Sequence, residues 1–269
     1  MREMRVDWSS AINKLLDPYD IKARLFPGLL VLFPAILYLA LIYGAKNPVV
    51  AGLSAVLMAC GGPYLLSSFV RTWGQHAQER LYRQWGAQPS TILMRHRDGT
   101  LPGPTKQRYR ELVASRLGLE LPGQGEEQRD PTAADMAYAA AADALRPLTN
   151  DHKAFPFVFK ELVAYGFNRN AHGSRWLGVG VALATVLVTL IQGSALSLQQ
   201  PFLALGALDN AHIVVLLSAF VMVVLWSAHF TGSTVKLAGI SYAKRLWEAL
   251  DQLPKKSHRA RPKATEPAT

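Results

Sequence analysis

Four arginines, Arg95, Arg97, Arg108 and Arg110, fall within sixteen residues of one another, with Tyr109 among them. Farther along the chain, Arg169 and Asn170 follow the triplet Tyr165-Gly166-Phe167. Guanidinium forks match phosphate oxygens in pairs, and a tyrosine ring offers a face on which a base can stack. The chemistry these residue types suggest is capture of a nucleotide or a single-stranded nucleic acid. Two plainer explanations stand beside it: arginines gather near the cytoplasmic leaflet of a membrane, and Arg97 has Asp98 and Glu111 as nearby acidic partners.

Other chemistries find less. Asp98, Asp130 and His96 could assemble a hydrolytic site, but no spacing in the sequence requires it. His76 and Glu79 share one helix face without a third ligand. The signatures CxxC, HExxH, GxSxG and GxxxxGK[ST] do not occur. Cys60 is the single cysteine, which excludes an intrachain disulfide and a thiolate metal cluster. The chain is therefore read as non-enzymatic, with no catalytic residue, metal or cofactor assigned.

What must position these residues is set by an unusual pairing of properties. Half of the 269 residues are hydrophobic, yet the formal net charge is +10. The two are segregated. Four apolar runs, 25–44, 48–70, 176–196 and 211–230, contain no Asp, Glu, Lys or Arg. Each is close to the ~20 residues a helix needs to cross ~30 Å of hydrocarbon. The expected fold is all-α: a polytopic helical membrane protein with four transmembrane helices and a helical cytoplasmic domain inserted between the second and third.

Charge sets the orientation. Of the 29 basic residues, the stretch 1–24 holds five, 71–175 holds fifteen and the residues after 230 hold eight. Only Lys46 falls in the first hairpin, and none falls in 197–210. Four crossings put all but Lys46 on one side, which the positive-inside rule makes cytoplasmic. The expected segments are a cytoplasmic amphipathic stretch over 1–24, two spans within 25–70, a cytoplasmic helical domain over 71–175, two spans within 176–230, and a cytoplasmic helix with a basic disordered tail over 231–269.

Within the spans, Thr185, Thr189 and Gln192 share one face of the third, as a polar path in an assembly of copies or as a packing face. Gly61-Gly62-Pro63 predicts a kink in the second. In the middle segment, 71–85 continues the second span as far as Gly86, and 91–97 forms a short element. A helix follows Pro104-Thr105 and stops at Gly118, while the Gly-, Glu- and Gln-rich stretch 118–129 reads as a loop. Asp130-Pro131 caps an alanine-rich helix reaching Leu148, and 155–170 forms a helix leading into the third span. Before the first span, Trp8, Ile12, Leu15 and Leu16 repeat at helical spacing.

Two stretches of the middle segment, WGAQPSTILMRHRD with TKQRYRELV, and EEQRDPTAAD followed by FKELVAYGFNRN, resemble a group of bacterial inner-membrane proteins of similar length. That group shares WGGxPTT…LRxRD and ENxxYGFRRN segments; here Glu161-Leu162 and Asn168 depart from the pattern. The resemblance implies a bacterial inner (plasma) membrane and a role akin to phage-defence membrane effectors. The expected partners are the lipid bilayer, further copies of the chain as a homo-oligomer, and a nucleotide, nucleic acid or cytosolic protein bound at Arg95, Arg97, Arg108, Tyr109, Arg110, Tyr165, Arg169 and Asn170. Two functions remain open at this point: an effector whose spans become leaky when the cytoplasmic domain gains or loses its ligand, and a scaffold that tethers a cytosolic partner.

Overall fold

The computed structural model of the chain describes residues 17–44, 47–59, 61–196, 204, 206 and 208–254. The expected amphipathic helix before residue 17, Cys60, most of the loop 197–207 and the basic tail after Pro254 lie outside the described residues. Among those described, the fold is all-helical. The helices are α1 (Pro18–Tyr43), α2 (Pro48–Ala59), α3 (Gly62–Trp85), α4 (Pro89–Met94), α5 (Gly103–Leu112), α6 (Gln124–Arg129), α7 (Pro131–Leu148), α8 (Pro156–Gln192), α9 (Asn210–His229) and α10 (Gly232–Glu248).

Three of these, α1, α8 and α9, are long and apolar enough to cross a membrane. The second apolar run is divided. α2 spans 12 residues, Gly61 takes a left-handed φ of 73°, and α3 starts at Gly62 with Pro63 in its first turn. The expected kink is thus a break. A proline inside a helix removes a backbone bond, whereas in the first turn its missing N–H has no partner to lose, and glycine supplies the positive φ that ends the preceding turn.

The helices gather into two compact units, one from residues 1–86 and 160–239, the other from 87–159 and 240–269. In the first, Val31, Ala171, Ala182, Met222, Trp226 and Phe230 form a small buried cluster. Its helices approach closely through small residues. A Cβ on Gly173 would lie 2.6 Å from the backbone N of Gly74, and one on Gly74 would lie 2.0 Å from Asn170 Oδ1. Large apolar side chains point outward instead, among them Phe33, Phe69, Leu187, Leu217 and Phe220.

The second unit has the opposite grain. Leu93, Met94, Val113, Tyr138, Leu145, Leu246, Trp247 and Leu250 close an apolar core with Ala141 and Ala142 of α7. The alanines of α7 permit that close packing. Asp130 Oδ1 accepts from Thr132 N and Ala133 N at 3.1 and 2.9 Å, as the Asp-Pro pair predicts. α5 continues through a π-type turn, Val113–Leu117, and ends at Gly118 with φ 69°. The stretch read as a loop contains α6, whose Glu127 is buried. The residues 240–253, grouped by sequence with the tail, supply Leu246, Trp247 and Leu250 to this core.

Candidate functional site

The arginines after α4 do not face solvent as an open cradle. Arg95 grips Asp135 with both arms of its fork, Nε to Oδ1 at 2.8 Å and NH2 to Oδ2 at 2.7 Å. Arg97 bridges two carboxylates, reaching Glu127 Oε1 at 2.9 Å and Asp135 Oδ2 at 3.1 Å. Neither partner is Asp98 or Glu111. Helical spacing explains the arrangement: α7 carries Asp135 and Tyr138 on one face, three residues apart, and α6 brings Glu127 against that face.

Glu127 is the centre of the network. Its carboxylate accepts from His96 N at 2.8 Å, Arg97 N at 3.3 Å, Arg97 NH1 at 2.9 Å and Tyr138 OH at 2.7 Å. Burial by itself would raise its pKa; the hydrogen bonds from His96, Tyr138 and Arg97 and the Arg97 charge outweigh it and hold the value at about 2. Burial and the bond to Glu127 push Tyr138 up to about 12.

Lys106 and Arg110 close the other side. Lys106 is buried and donates to the carbonyls of Arg95 and Asp98, the former at 2.6 Å. Desolvation pulls its pKa below the usual lysine range. Arg110 donates to Tyr138 OH at 2.8 Å and to the carbonyls of Pro122 and Met94. Arg108 points elsewhere, pairing with Asp251, and Tyr109 is buried in the core.

Chemically, this arrangement fixes a chain segment. A carboxylate at pKa about 2 that already accepts four hydrogen bonds has neither the basicity nor a free lone pair for proton abstraction. Arg95 and Arg97 spend their forks on carboxylates, so a phosphate would have to displace Asp135 or Glu127. Asp98 accepts from Thr100 N in a local turn and Asp130 caps α7, with no hydrogen bond joining either to His96 among the described residues. Burial, with the Arg110 charge, lowers the His96 pKa. No group of His, Cys, Asp and Glu among the described residues could hold a metal ion.

Tyr165, Arg169 and Asn170 belong to the first unit, and the five residues after α4 to the second. Tyr165 OH lies 2.8 Å from Tyr82 OH and donates to Gln78 Oε1 at 3.1 Å, which also accepts from Arg169 NH1 at 3.0 Å. Asn170, fully buried, donates to the Ala23 carbonyl at 2.6 Å. The three tie α8 to α3 and α1. Thr185 and Thr189 are buried and donate to the carbonyls four residues earlier, at 2.8 and 2.7 Å, while Gln192 donates to Tyr43 OH at 3.3 Å.

Sequence reasoning passed over Glu127, Asp135, Tyr138 and Lys106. The Asp135/Tyr138 spacing was a visible signal; Glu127 had none, because its neighbours are polar and turn-forming. Compared with known proteins, the chain matches no family model, no curated protein and no solved structure. The resemblance carried by 85–98, 105–113, 126–135 and 159–170 rests on those residues alone.

Proposed function

We propose that the chain is a non-enzymatic integral membrane protein of a bacterial inner membrane, crossing the bilayer four times, whose second unit is a recognition module for a cytosolic partner. The number of crossings follows from charge. With α1, α8 and α9 as the only crossings, the five basic residues of 1–24 would face away from the other basic segments. A crossing over 48–70 returns them to the same side, leaving Lys46 alone opposite.

The observation that carries the recognition reading is that Arg95, Arg97 and Arg110 each direct the terminal nitrogens of their forks to protein acceptors. A module whose arginine forks are already engaged favours docking of a partner on its outer surface over an open anion cradle, which supports the scaffold function. The effector function draws on one observation, the left-handed Gly61 inside the second apolar run, a position where an assembly of copies could hinge. Expression in cells carrying a membrane-potential dye separates the two. The scaffold predicts unchanged polarisation under every partner condition, and depolarisation abolished by Gly61→Ala assigns the effector role instead.

A further inference from the structure

A cleft of ≈ 340 Å³ lies in the first unit between the start of α1 and one face of α3. Tyr64, Ser68 and Arg71 line it from α3, at the spacing that puts them on one side of a helix. Asp17, Asp20 and Arg24 line it from the amino-terminal end of α1. The volume falls at the lower end of the roughly 300–1,000 Å³ typical of small-molecule sites.

Two guanidiniums in this cleft keep donors in hand. Arg71 makes no ion pair or hydrogen bond among the described residues. Arg24 is held by Asp20 through NH1 at 2.5 Å and stacks over the Tyr19 ring, while its side chain stays partly exposed and its NH2 makes no hydrogen bond among the described residues. An oxyanion is the partner that fits such a fork. The carboxylates of the same cleft argue against a bare anion. Asp17 uses Oδ1 to accept from Tyr19 N at 2.8 Å, and its Oδ2 makes no hydrogen bond among the described residues.

We propose that this cleft binds a phosphodiester bearing an ammonium group, the chemistry of a zwitterionic phospholipid headgroup. Arg71 and Arg24 take the phosphate oxygens, the Tyr64 and Ser68 hydroxyls donate to them, and Asp17 and Asp20 face the ammonium. The inference rests on the membrane reading above, because α1 becomes apolar from Leu25 onward and so places the cleft at headgroup level. A soluble phosphodiester of the same type carries the same groups, so lipid and soluble forms are tested in parallel.

The test uses the full chain purified in a non-ionic detergent, with retained lipid read by native mass spectrometry. Phosphatidylethanolamine and phosphatidylglycerol are supplied at equal concentration, and glycerophosphoethanolamine serves as soluble competitor. Preferential retention of phosphatidylethanolamine, weakened about tenfold by Arg71→Gln and by Asp17→Asn, is the expected result. Displacement by glycerophosphoethanolamine at comparable concentration keeps the chemistry and makes the ligand a soluble one. Equal retention of both lipids, or retention indifferent to both substitutions, overturns the proposal. Arg71 is exposed and makes no ion pair or hydrogen bond among the described residues, so its substitution leaves folding intact, and an unchanged melting temperature confirms that. Failure here leaves the number of crossings untouched, since that is read from labelling rather than lipid binding.

Discussion

The two units pack their large apolar side chains in opposite senses. In the first, Phe33, Leu187, Leu217 and Phe220 point outward, while the interior joins a small cluster around Trp226 and Phe230 to glycines, alanines and hydroxyls that donate to their own helix. In the second, the large side chains Leu93, Tyr138, Leu246 and Trp247 turn inward and the charged ones are tied into ion pairs at the edge of the core. Hydrocarbon offers no drive to hide leucine, so helices there associate through close backbone approach. Water supplies that drive, and a core of large apolar side chains answers it.

Substitutions at matched positions can break this contrast. Trp247→Ala, which removes the largest side chain of the second core and its 3.1 Å bond to the Ser90 carbonyl, is expected to cost about 3–5 kcal/mol, read as a fall in the denaturant midpoint. A cost below about 1 kcal/mol would mean the second unit is not organised around that core.

Glu127→Ala comes next, at about 2–4 kcal/mol. The loss is smaller than for a fully buried pair because Arg97 is 43% exposed and recovers hydration. The carboxyl has a lower pKa folded than unfolded, so its stabilisation is present above its ordinary value of 4.5 and is lost as pH falls through that value towards about 2. Thermal melting should show the wild type losing stability over that acid range and the Glu127→Ala chain losing less.

In the first unit the sensitive positions are small. Gly173→Ala drives a Cβ against the Gly74 and Trp73 backbone, which no rotamer change relieves, and about 1–3 kcal/mol of destabilisation is expected in detergent melting. Thr189→Val should sit at the bottom of the scale, below about 0.6 kcal/mol, because its hydroxyl bonds the Thr185 carbonyl of its own helix. A larger loss on Thr189→Val than on Gly173→Ala would reverse the packing logic assigned to this unit.

The helical class and three of the apolar spans were legible from hydrophobic runs alone, because length and lack of charge are local properties. Gly86, Gly118 and the Asp130-Pro131 cap were legible for the same reason. The partners of Arg95 and Arg97 were not. Asp135 lies forty residues from Arg95 and Glu127 thirty from Arg97, and only the folding of α6 and α7 onto the segment after α4 brings them together. Pro63 was legible as an interruption but not as a helix start, since that depends on the φ of Gly61.

Residue 46 and residue 99 flank the second apolar run, and which side of the bilayer each faces tests the account directly. With Cys60 replaced by Ser, single cysteines at Lys46→Cys and Gly99→Cys are exposed to a membrane-impermeant maleimide in intact and permeabilised cells. Four crossings predict that position 46 labels in intact cells and position 99 only after permeabilisation. Labelling of both positions from the same side would contradict the fourth crossing and the orientation built on it.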